Sequence, residues 1–364
     1  MRATSQARYE GRIERVRETL PDSAIDALLV TNLTNVRYLT GFSGTNAQLL
    51  VRTSGAVFFS DPRYAARAAD LVRGAEVDIY PSALTDLLPG RLEAASVVRL
   101  GIEARTMTVA VRDELADKLE GVTLVPTSDV VEGLRRVKDP DEVAAIRRAV
   151  RLGDETFDWI LERLAPGRTE REVALDLEVR MRSEGADDVS FEPIVGSGAM
   201  SAHIHHTPSD RVLAAGDLVL MDFGALVDGY CSDLTRTVVL GRASERQKEI
   251  YATVLEAQSK GIAGVAAGAR SADVDAAARG FIAQAGHGDA FGHGLGHGVG
   301  LDIHEAPRLA RTSDDSLAAG DVVTVEPGIY HGGWGGIRIE DCVLVTADGA
   351  EVLGSAPKQE LIEV

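Results

Sequence analysis

The sequence has few of the features that mark disulfide-rich, membrane-spanning or nucleic-acid-binding proteins. Its two cysteines, Cys231 and Cys342, are too few for a disulfide framework and form no C-x-x-C zinc motif. No apolar run approaches the roughly 20 residues that a membrane-spanning helix needs, and the start of the chain has no apolar signal region. Basic residues are outnumbered by acidic ones, 38 to 56, which disfavours nucleic acid or an anionic membrane as a partner. We therefore expect reduced thiols and a cytoplasmic protein.

The length and the local patterns predict two domains. A chain of 364 residues exceeds the size of a single hydrophobic core. Strand-like and helical runs alternate up to Val125, which predicts an α/β domain over residues 1–126. Asp139, Pro140 and Glu142 then have the order of a helix N-terminus with a capping box. A second domain is expected over residues 127–364.

An internal repeat lies within the second domain. The segments GDLVLMDFG at 216–224 and GDVVTVEPG at 320–328 share Gly, Asp, Val and the final Gly, with an acid in the same column, Asp222 or Glu326. Such self-similarity indicates that two halves of one domain are related. Two similar strands would each direct one carboxylate toward a shared centre.

The first repeat continues into a predicted hairpin. Asp228 and Gly229 are the residue pair that a type I′ turn prefers, and β-prone runs flank them. A two-residue turn at this position places Asp222 opposite Thr235, with Asp233 diagonal to Asp222. Since opposed and diagonal residues share a face, these side chains are expected to converge.

The second repeat repeats this pattern of acids. Glu326 and Glu340 flank a glycine-rich turn, and Arg338 shares a strand face with Glu340. Clustered carboxylates repel one another unless a cation neutralises them. A divalent metal site is therefore predicted, and an imidazole ligand could come from the run of alternating glycines around His293 and His297.

Taken together, these motifs resemble the aminopeptidase P and prolidase family of dinuclear metallopeptidases. The motifs are MDFG, SDLTRT, HGLGHGVGLDIHE, VEPGIY and GIRIED, while YLTGFSGTN and DPRY resemble the N-terminal domain of that family. The resemblance covers the whole chain. It implies an α/β protein with an N-terminal creatinase-like α/β domain and a C-terminal, duplicated α+β catalytic domain of the pita-bread fold.

The resemblance implies a centre of two divalent metal ions. Manganese is the first expectation, with cobalt, iron or zinc as alternatives for oxygen-rich sites that add an imidazole. Asp233 and Glu340 would bridge the two ions. Asp222 would bind one ion, and His297 and Glu326 would bind the other.

The same resemblance assigns roles in proton transfer and substrate binding. His205 and His304 correspond to the two histidines of the family that are not ligands, and Glu326 would accept a proton as a metal-activated water attacks the scissile carbonyl. His293 lies close enough in sequence to line the site. His206 is expected to be a loop or surface residue.

Three further residues would orient these groups. Thr235 is expected to orient Asp222, Tyr330 the bound substrate, and Arg338 Glu340.

The implied reaction is hydrolysis of the Xaa-Pro bond in a proline-containing peptide. Arg308 matches the arginine with which prolidases hold the C-terminal carboxylate of a dipeptide, and a guanidinium can bind a carboxylate bidentately. This favours a dipeptidase over an aminopeptidase P that acts on longer peptides. The family also suggests a homodimer.

Other classes of protein are less consistent with the sequence. A catalytically silent binding module on this fold would lack at least one metal ligand, and none is missing. A methionine aminopeptidase usually lacks an added N-terminal domain. The DFG triplet at 222–224 also occurs in protein kinases, but neither an H-R-D loop nor a glycine-rich nucleotide loop accompanies it.

Overall fold

The structure is a computed structural model that describes residues 2–364, with side chains described from residue 6 onward. Its contacts divide the chain into two compact units, one up to Arg135 and one from Arg136 to Val364. The first unit thus continues past the predicted boundary at residue 126 into the helix Val130–Arg136.

The first unit is an α/β domain, as its alternating pattern predicts. Its helices and strands, in chain order, are α1 (Arg2–Thr19), β1 (Ala27–Val30), α2 (Leu33–Thr40), β2 (Gln48–Arg52), β3 (Gly55–Ser60), α3 (Ala65–Leu71), β4 (Glu76–Ile79), α4 (Leu88–Ala94), β5 (Arg99–Glu103), α5 (Val109–Lys118), β6 (Thr123–Thr127) and α6 (Val130–Arg136).

Its six strands form one mixed sheet in the order β4-β3-β2-β1-β5-β6. β2 is antiparallel to both of its neighbours, while β1 with β5, β5 with β6 and β3 with β4 are parallel. All four residues of β1 are buried, as expected for a central strand covered on both faces.

The second unit contains helices and antiparallel strands. Its elements, in chain order, are α7 (Pro140–Leu161), α8 (Glu170–Ser183), β7 (Asp188–Val189), β8 (Ile194–Ser197), β9 (Leu218–Phe223), β10 (Ala225–Val227), β11 (Tyr230–Cys231), β12 (Leu234–Val239), α9 (Glu245–Ala263), α10 (Ser271–Gln284), β13 (Gly296–Gly298), β14 (Glu305–Leu309), β15 (Val322–Val325), β16 (Gly328–His331), β17 (Gly335–Arg338), β18 (Asp341–Thr346) and β19 (Gly349–Val352).

The predicted duplication is visible as two helix pairs, each packed on a small sheet. In the first half, apolar residues of α7 and α8, such as Phe157 and Leu177, share a buried cluster with Met221 of β9. In the second half, Val254 of α9 shares a cluster with Val323 of β15. The two repeat segments therefore become equivalent buried strands.

The first helix of this unit begins with the predicted cap. Asp139 accepts a hydrogen bond from the Glu142 backbone N–H, and the Glu142 side chain accepts one from the Asp139 N–H. Thr169 and Glu172 form the same reciprocal pair at α8. Among the described residues, no helix combines the length and the hydropathy that crossing a bilayer requires.

Candidate active site

The first pair of carboxylates is placed by the predicted hairpin. Asp228 and Gly229 have φ values of 52° and 82°, as a type I′ turn requires. Thr235 lies opposite Asp222 in the pairing of β9 with β12. The register predicted from the turn is confirmed.

This hairpin is interrupted at Gly224, which the sequence does not predict. β9 pairs with β12, whereas the tip strands β10 and β11 belong to a different sheet. A Cβ on Gly224 would lie 1.8 Å from the carbonyl oxygen of Ser232. Only glycine therefore allows the two backbones to approach so closely here, in the stretch between Asp222 and Asp233.

The second pair of carboxylates lies on the equivalent hairpin. Val325 pairs with Asp341, and Gly328 pairs with Arg338. Glu326 and Glu340 lie between these pairs and flank the glycine-rich turn, as the sequence predicts.

The glycines around His297 let neighbouring strands pack directly against its backbone. A Cβ on Gly296 would lie 2.0 Å from the Thr324 carbonyl oxygen, and one on Gly298 would lie 2.3 Å from that of Ala306. The Glu326 N–H donates to the Leu295 carbonyl at 2.8 Å. His297 is thereby held beside the acids of the second half.

These side chains converge on one small volume. Ligand atoms of Asp233, His297 and Glu340 all lie within 4.8 Å of one another. Nε2 of His297 is 3.5 Å from a carboxylate oxygen of Asp233 and 3.4 Å from one of Glu326. The Nδ1 atom of His297 is 3.1 Å from the Gly298 carbonyl, so Nε2 is the nitrogen that faces the acids.

Burial is the largest cause of the pKa shifts of the clustered carboxyl groups and of His297. Burial, followed by the charges of Glu340 and Asp222, raises the pKa of Asp233 well above its usual value. Burial also raises the pKa of Glu326 to about 8, although the Arg338 charge opposes it. Burial and the neighbouring His304 lower the pKa of His297 to about 4, which keeps this imidazole neutral.

The donor set fits a divalent cation. Two oxygens, Asp222 Oδ1 and Asp233 Oδ1, are buried and have no hydrogen-bond partner in the described part of the chain. An unsatisfied buried acceptor costs roughly 1–3 kcal/mol, more if it is charged. A cation between these carboxylates would satisfy both oxygens and would lower the raised pKa values by its charge.

Thr235 and Arg338 lie beside the carboxylates, but with their expected partners exchanged. Thr235 Oγ1 donates to Glu340 at 2.6 Å, and Arg338 donates to Asp222. The expectation that Thr235 orients Asp222 and Arg338 orients Glu340 is corrected accordingly. The reason is tertiary, because the Glu340 N–H donates to the Thr235 carbonyl across the two halves of the unit and brings these side chains together.

Arg338 also connects the acids to Tyr330. Its guanidinium donates to the Tyr330 hydroxyl at 3.0 Å, and that hydroxyl is 2.9 Å from His293 Nε2. Burial raises the pKa of Tyr330 to about 12. Tyr330 is therefore a neutral phenol at the edge of the carboxylate cluster, where it could contact a ligand.

The two histidines that were not expected to be ligands are exposed and near the cluster. The rings of His304 and His297 have centroids 4.4 Å apart. Partial desolvation of the His304 ring, followed by the charge of the nearby His205, lowers the pKa of His304. The structure thus brings His304 within electrostatic range of both His205 and Asp222.

Arg308 lies directly across a strand pair from His297. Opposed residues on antiparallel strands direct their side chains to the same face, so Arg308 shares the face of His297. Its side chain is exposed. It is therefore placed to bind an anionic group that approaches the cluster.

Sequence reasoning missed Thr324. Its hydroxyl accepts from the His297 N–H at 3.0 Å and donates to Glu326 at 3.1 Å, so one side chain holds two of the clustered residues. The only signal in the sequence is position: Thr324 precedes Glu326 by two residues and so shares its strand face.

Comparison with known proteins identifies the class of this site. Residues 144–347 match metallopeptidase family M24, and residues 12–137 match the creatinase/prolidase N-terminal domain. The chain belongs to family M24 and carries that N-terminal domain. Members of this family are metal-dependent peptidases, so the chain is a hydrolase that uses a divalent metal, and the resemblance seen in its motifs is confirmed.

Individual relatives are similar over nearly the full length. A solved Xaa-Pro dipeptidase from Bacillus anthracis is 41% identical with a TM-score of 0.96, and the match covers 98% of this chain and 100% of that one. An Xaa-Pro dipeptidase from Pyrococcus horikoshii is 35% identical over 96% of this chain and 98% of its own length. A solved X-Pro aminopeptidase from Thermotoga maritima is 34% identical with a TM-score of 0.88, covering 93% of this chain and 98% of that one.

Proposed function

We propose that this chain is an Xaa-Pro dipeptidase with a centre of two divalent ions. The observation that carries the proposal is the convergence of buried carboxylates and one neutral imidazole on a volume a few ångströms wide. Relatives named Xaa-Pro dipeptidase that match nearly the whole chain support the substrate class. The five proposed ligands are Asp222, Asp233, His297, Glu326 and Glu340.

Two ions account for the donor set better than one. Asp233 lies near both His297 of the second half and the other acids, and Glu340 is held by Thr235 of the first half. In the proposed centre both carboxylates would be shared between the two ions. Manganese is the proposed ion, with cobalt, iron or zinc as alternatives, because oxygen ligands with a single imidazole suit this group of ions.

Bound divalent ions would supply a Lewis acid for the scissile carbonyl and lower the pKa of a water molecule. The protein supplies the remaining groups. Glu326 accepts the proton that the attacking water loses, and the exposed His205 and His304 donate hydrogen bonds to the substrate as charge develops on its carbonyl oxygen.

Selection of dipeptides is assigned to Arg308. A dipeptide has its C-terminal carboxylate one residue beyond the scissile bond, and the exposed Arg308 guanidinium shares a face with His297. A guanidinium can hold that carboxylate with two parallel hydrogen bonds. A longer peptide has a neutral amide at this position.

The test is hydrolysis of Ala-Pro beside a longer Xaa-Pro peptide by the manganese-loaded protein. A value of kcat/KM at least tenfold higher for Ala-Pro is expected. A preference for the longer peptide would favour aminopeptidase P, the second candidate, which the similarity to the T. maritima enzyme supports. Absence of hydrolysis of either peptide would leave the remaining alternative, a binding module on this fold.

We also propose, from the family resemblance, that the protein is a cytoplasmic homodimer. Light scattering on the purified protein tests the dimer, which should have twice the 38.7 kDa mass of the chain.

A further inference from the structure

One buried carboxylate near the site has no part in the proposed chemistry. Glu170 is the first residue of α8 and is fully buried. Fully buried acids are rare in proteins unless they are paired or hydrogen-bonded. Its local sequence gives no hint of this, because Thr169 and Glu172 already complete the cap of the helix.

Glu170 accepts five hydrogen bonds. One oxygen accepts from the N–H and the hydroxyl of Ser197, at 2.8 and 2.7 Å. The other accepts from the N–H and the hydroxyl of Ser209, at 3.1 and 2.6 Å, and from His206 Nε2 at 2.8 Å. Burial alone would raise the pKa of Glu170, but the bonds from Ser209, His206 and Ser197 hold it below its usual value.

The partners of Glu170 lie at the two ends of one connecting segment. Ser197 is the last residue of β8, and β8 pairs with β9 such that Ile194 lies opposite Asp222. His206 and Ser209 lie in the loop that leads toward β9. A single carboxylate therefore ties together both ends of the segment 198–208, which we call the His205 loop.

Adjacent histidines of the His205 loop have opposite surroundings. The His206 side chain is 11% exposed and bonds to Glu170, whereas His205 is exposed. His205 is near enough to His293 and His304 to lower the pKa of both, after the larger effect of burial. Anchoring His206 therefore fixes the backbone next to His205, which lies within electrostatic range of His293 and His304.

The middle of the His205 loop contacts the second half of the unit. The Gly336 N–H donates to the Ser201 hydroxyl at 2.8 Å, and a Cβ on Gly336 would lie 2.3 Å from the Ser201 carbonyl oxygen. Gly336 pairs with Tyr330 in the β16–β17 hairpin. The loop is therefore held between Glu170 on one side and the hairpin that carries Tyr330 on the other.

We propose that Glu170 is a positioning residue that holds the His205 loop so that His205 reaches the substrate. The inference rests on the proposed function, because it takes His205 to be the group that contacts the substrate. Glu170 itself touches none of the five proposed ligands in the described hydrogen bonds. Its loss should consequently affect turnover while the metal stays bound.

The first test compares Glu170→Gln with Glu172→Gln. Glutamine at 170 can still accept from Ser197 but presents a donor to Ser209 and His206, whereas Glu172 is an exposed member of the helix cap. Displacing a catalytic group by about 1 Å can reduce the rate by roughly 100-fold. We expect E170Q to lower kcat by tenfold or more with its metal content unchanged, and E172Q to keep the kcat of the native protein. Native kcat in E170Q, or a loss of metal that accounts for its lower rate, would overturn the inference.

A double-mutant cycle tests whether the effect passes through His205. His205→Ala should retain metal and lose rate, and adding E170Q to it should lower kcat by less than twofold more. If the two losses multiply instead, Glu170 acts elsewhere and the inference is wrong.

Hydrogen exchange gives a readout that is independent of activity. Amides of residues 203–209 should exchange at least tenfold faster in E170Q than in the native protein, and at the native rate in E172Q and H205A. Unchanged exchange in E170Q would refute the anchoring. A native protein that hydrolyses no Xaa-Pro peptide would refute the proposed function instead, so the two failures are distinguishable.

If E170Q does not fold, Ser209→Ala, which removes one donor, should give the same changes in kcat and in hydrogen exchange at smaller size. Native behaviour of S209A would refute the inference.

Discussion

At the scale of single residues, Asp233 is the point where the two halves of the site meet. It is 3.5 Å from His297 of the second half and belongs to the hairpin that carries Asp222. Its position diagonal to Asp222 follows from a turn only a few residues away and is therefore predictable. Its proximity to His297 is not, because nothing in the local pattern brings residues 64 positions apart together.

Asp233→Asn should release the metal. The amide loses the negative charge and one lone-pair ligand, and a bridging position affects both ions. Loss of even an outer partner of a metal ligand costs roughly 10- to 100-fold, so we expect a rate loss of more than about 100-fold. Elemental analysis after gel filtration measures bound metal. Asp228→Asn is the matched control, since asparagine also suits the turn. Full metal content in D233N would contradict the assignment.

Arg308→Ala should weaken hydrolysis of dipeptides far more than that of tripeptides. A hydrogen bond between charged groups contributes roughly 1.5–3 kcal/mol, less when exposed, so we expect about a tenfold lower kcat/KM for Ala-Pro. Steady-state kinetics on a dipeptide and a matched tripeptide measure the difference. Arg311→Ala, another exposed arginine shortly after it, should leave both values unchanged. Equal losses on both substrates would favour the aminopeptidase interpretation.

At the scale of secondary-structure elements, the two hairpins position the acids. Their turns were predictable because a type I′ turn and a glycine-rich turn depend on residues that are adjacent in sequence. The break between β9 and β10 was not predictable. The break depends on the close approach of Gly224 to the Ser232 carbonyl. In the sequence, Gly224 is only one glycine between two β-prone runs, and nothing near it indicates this approach.

Gly224→Ala should force the first hairpin apart. The new methyl group would lie 1.8 Å from backbone, which cannot move aside as a flexible side chain can. Overpacking typically costs 1–3 kcal/mol, and a backbone clash should reach at least about 3 kcal/mol. Chemical denaturation gives the free energy of unfolding, and metal content should fall as Asp222 and Asp233 separate. Gly280→Ala, in α10 with open space around it, should retain or raise stability. Native stability in G224A would show that the hairpin tolerates a wider spacing.

At the scale of the whole molecule, the C-terminal unit buries carboxyl groups whose ionisation is unfavourable until a metal binds. Burial raises the pKa values of Asp233, Glu326 and Glu340, and that of Glu326 reaches about 8. Between the usual carboxyl pKa and these raised values, the folded protein binds more protons than the unfolded chain. Stability of the metal-free protein is therefore lost as the pH rises through this window.

Metal-free protein should lose stability between pH 6.5 and pH 8. Histidines whose pKa values are lowered in the folded protein act in the opposite direction, because the unfolded chain binds more protons at them up to and somewhat above pH 6.5; they are His293, His297, His304 and His331. As the pH rises above 6.5 this opposing contribution fades and the carboxyl groups dominate, by about 1.4 kcal/mol per pH unit for each extra proton held. Thermal unfolding after dialysis against a chelator measures the trend. Manganese should raise Tm most at pH 8 and should restore peptidase activity. A metal-free Tm that rises from pH 6.5 to pH 8, or full activity without metal, would contradict the proposed centre.

The sequence by itself determined the features that depend on near neighbours and on repetition. These are the capped helices, the turn of the first hairpin and its register, the repeated carboxylates and the glycine face around His297. Each arises from interactions over a few residues or from a motif that recurs, so its physical cause is visible in the order of the amino acids.

Only the tertiary structure decided which partner each polar group takes. Thr235 bonds to Glu340 and not to Asp222, and Glu170 binds His206 and Ser209 from the far end of a long loop. The residues of each pair are distant in sequence. The packing of whole strands and helices places their backbones side by side, and this packing decides which polar groups are close enough to form hydrogen bonds.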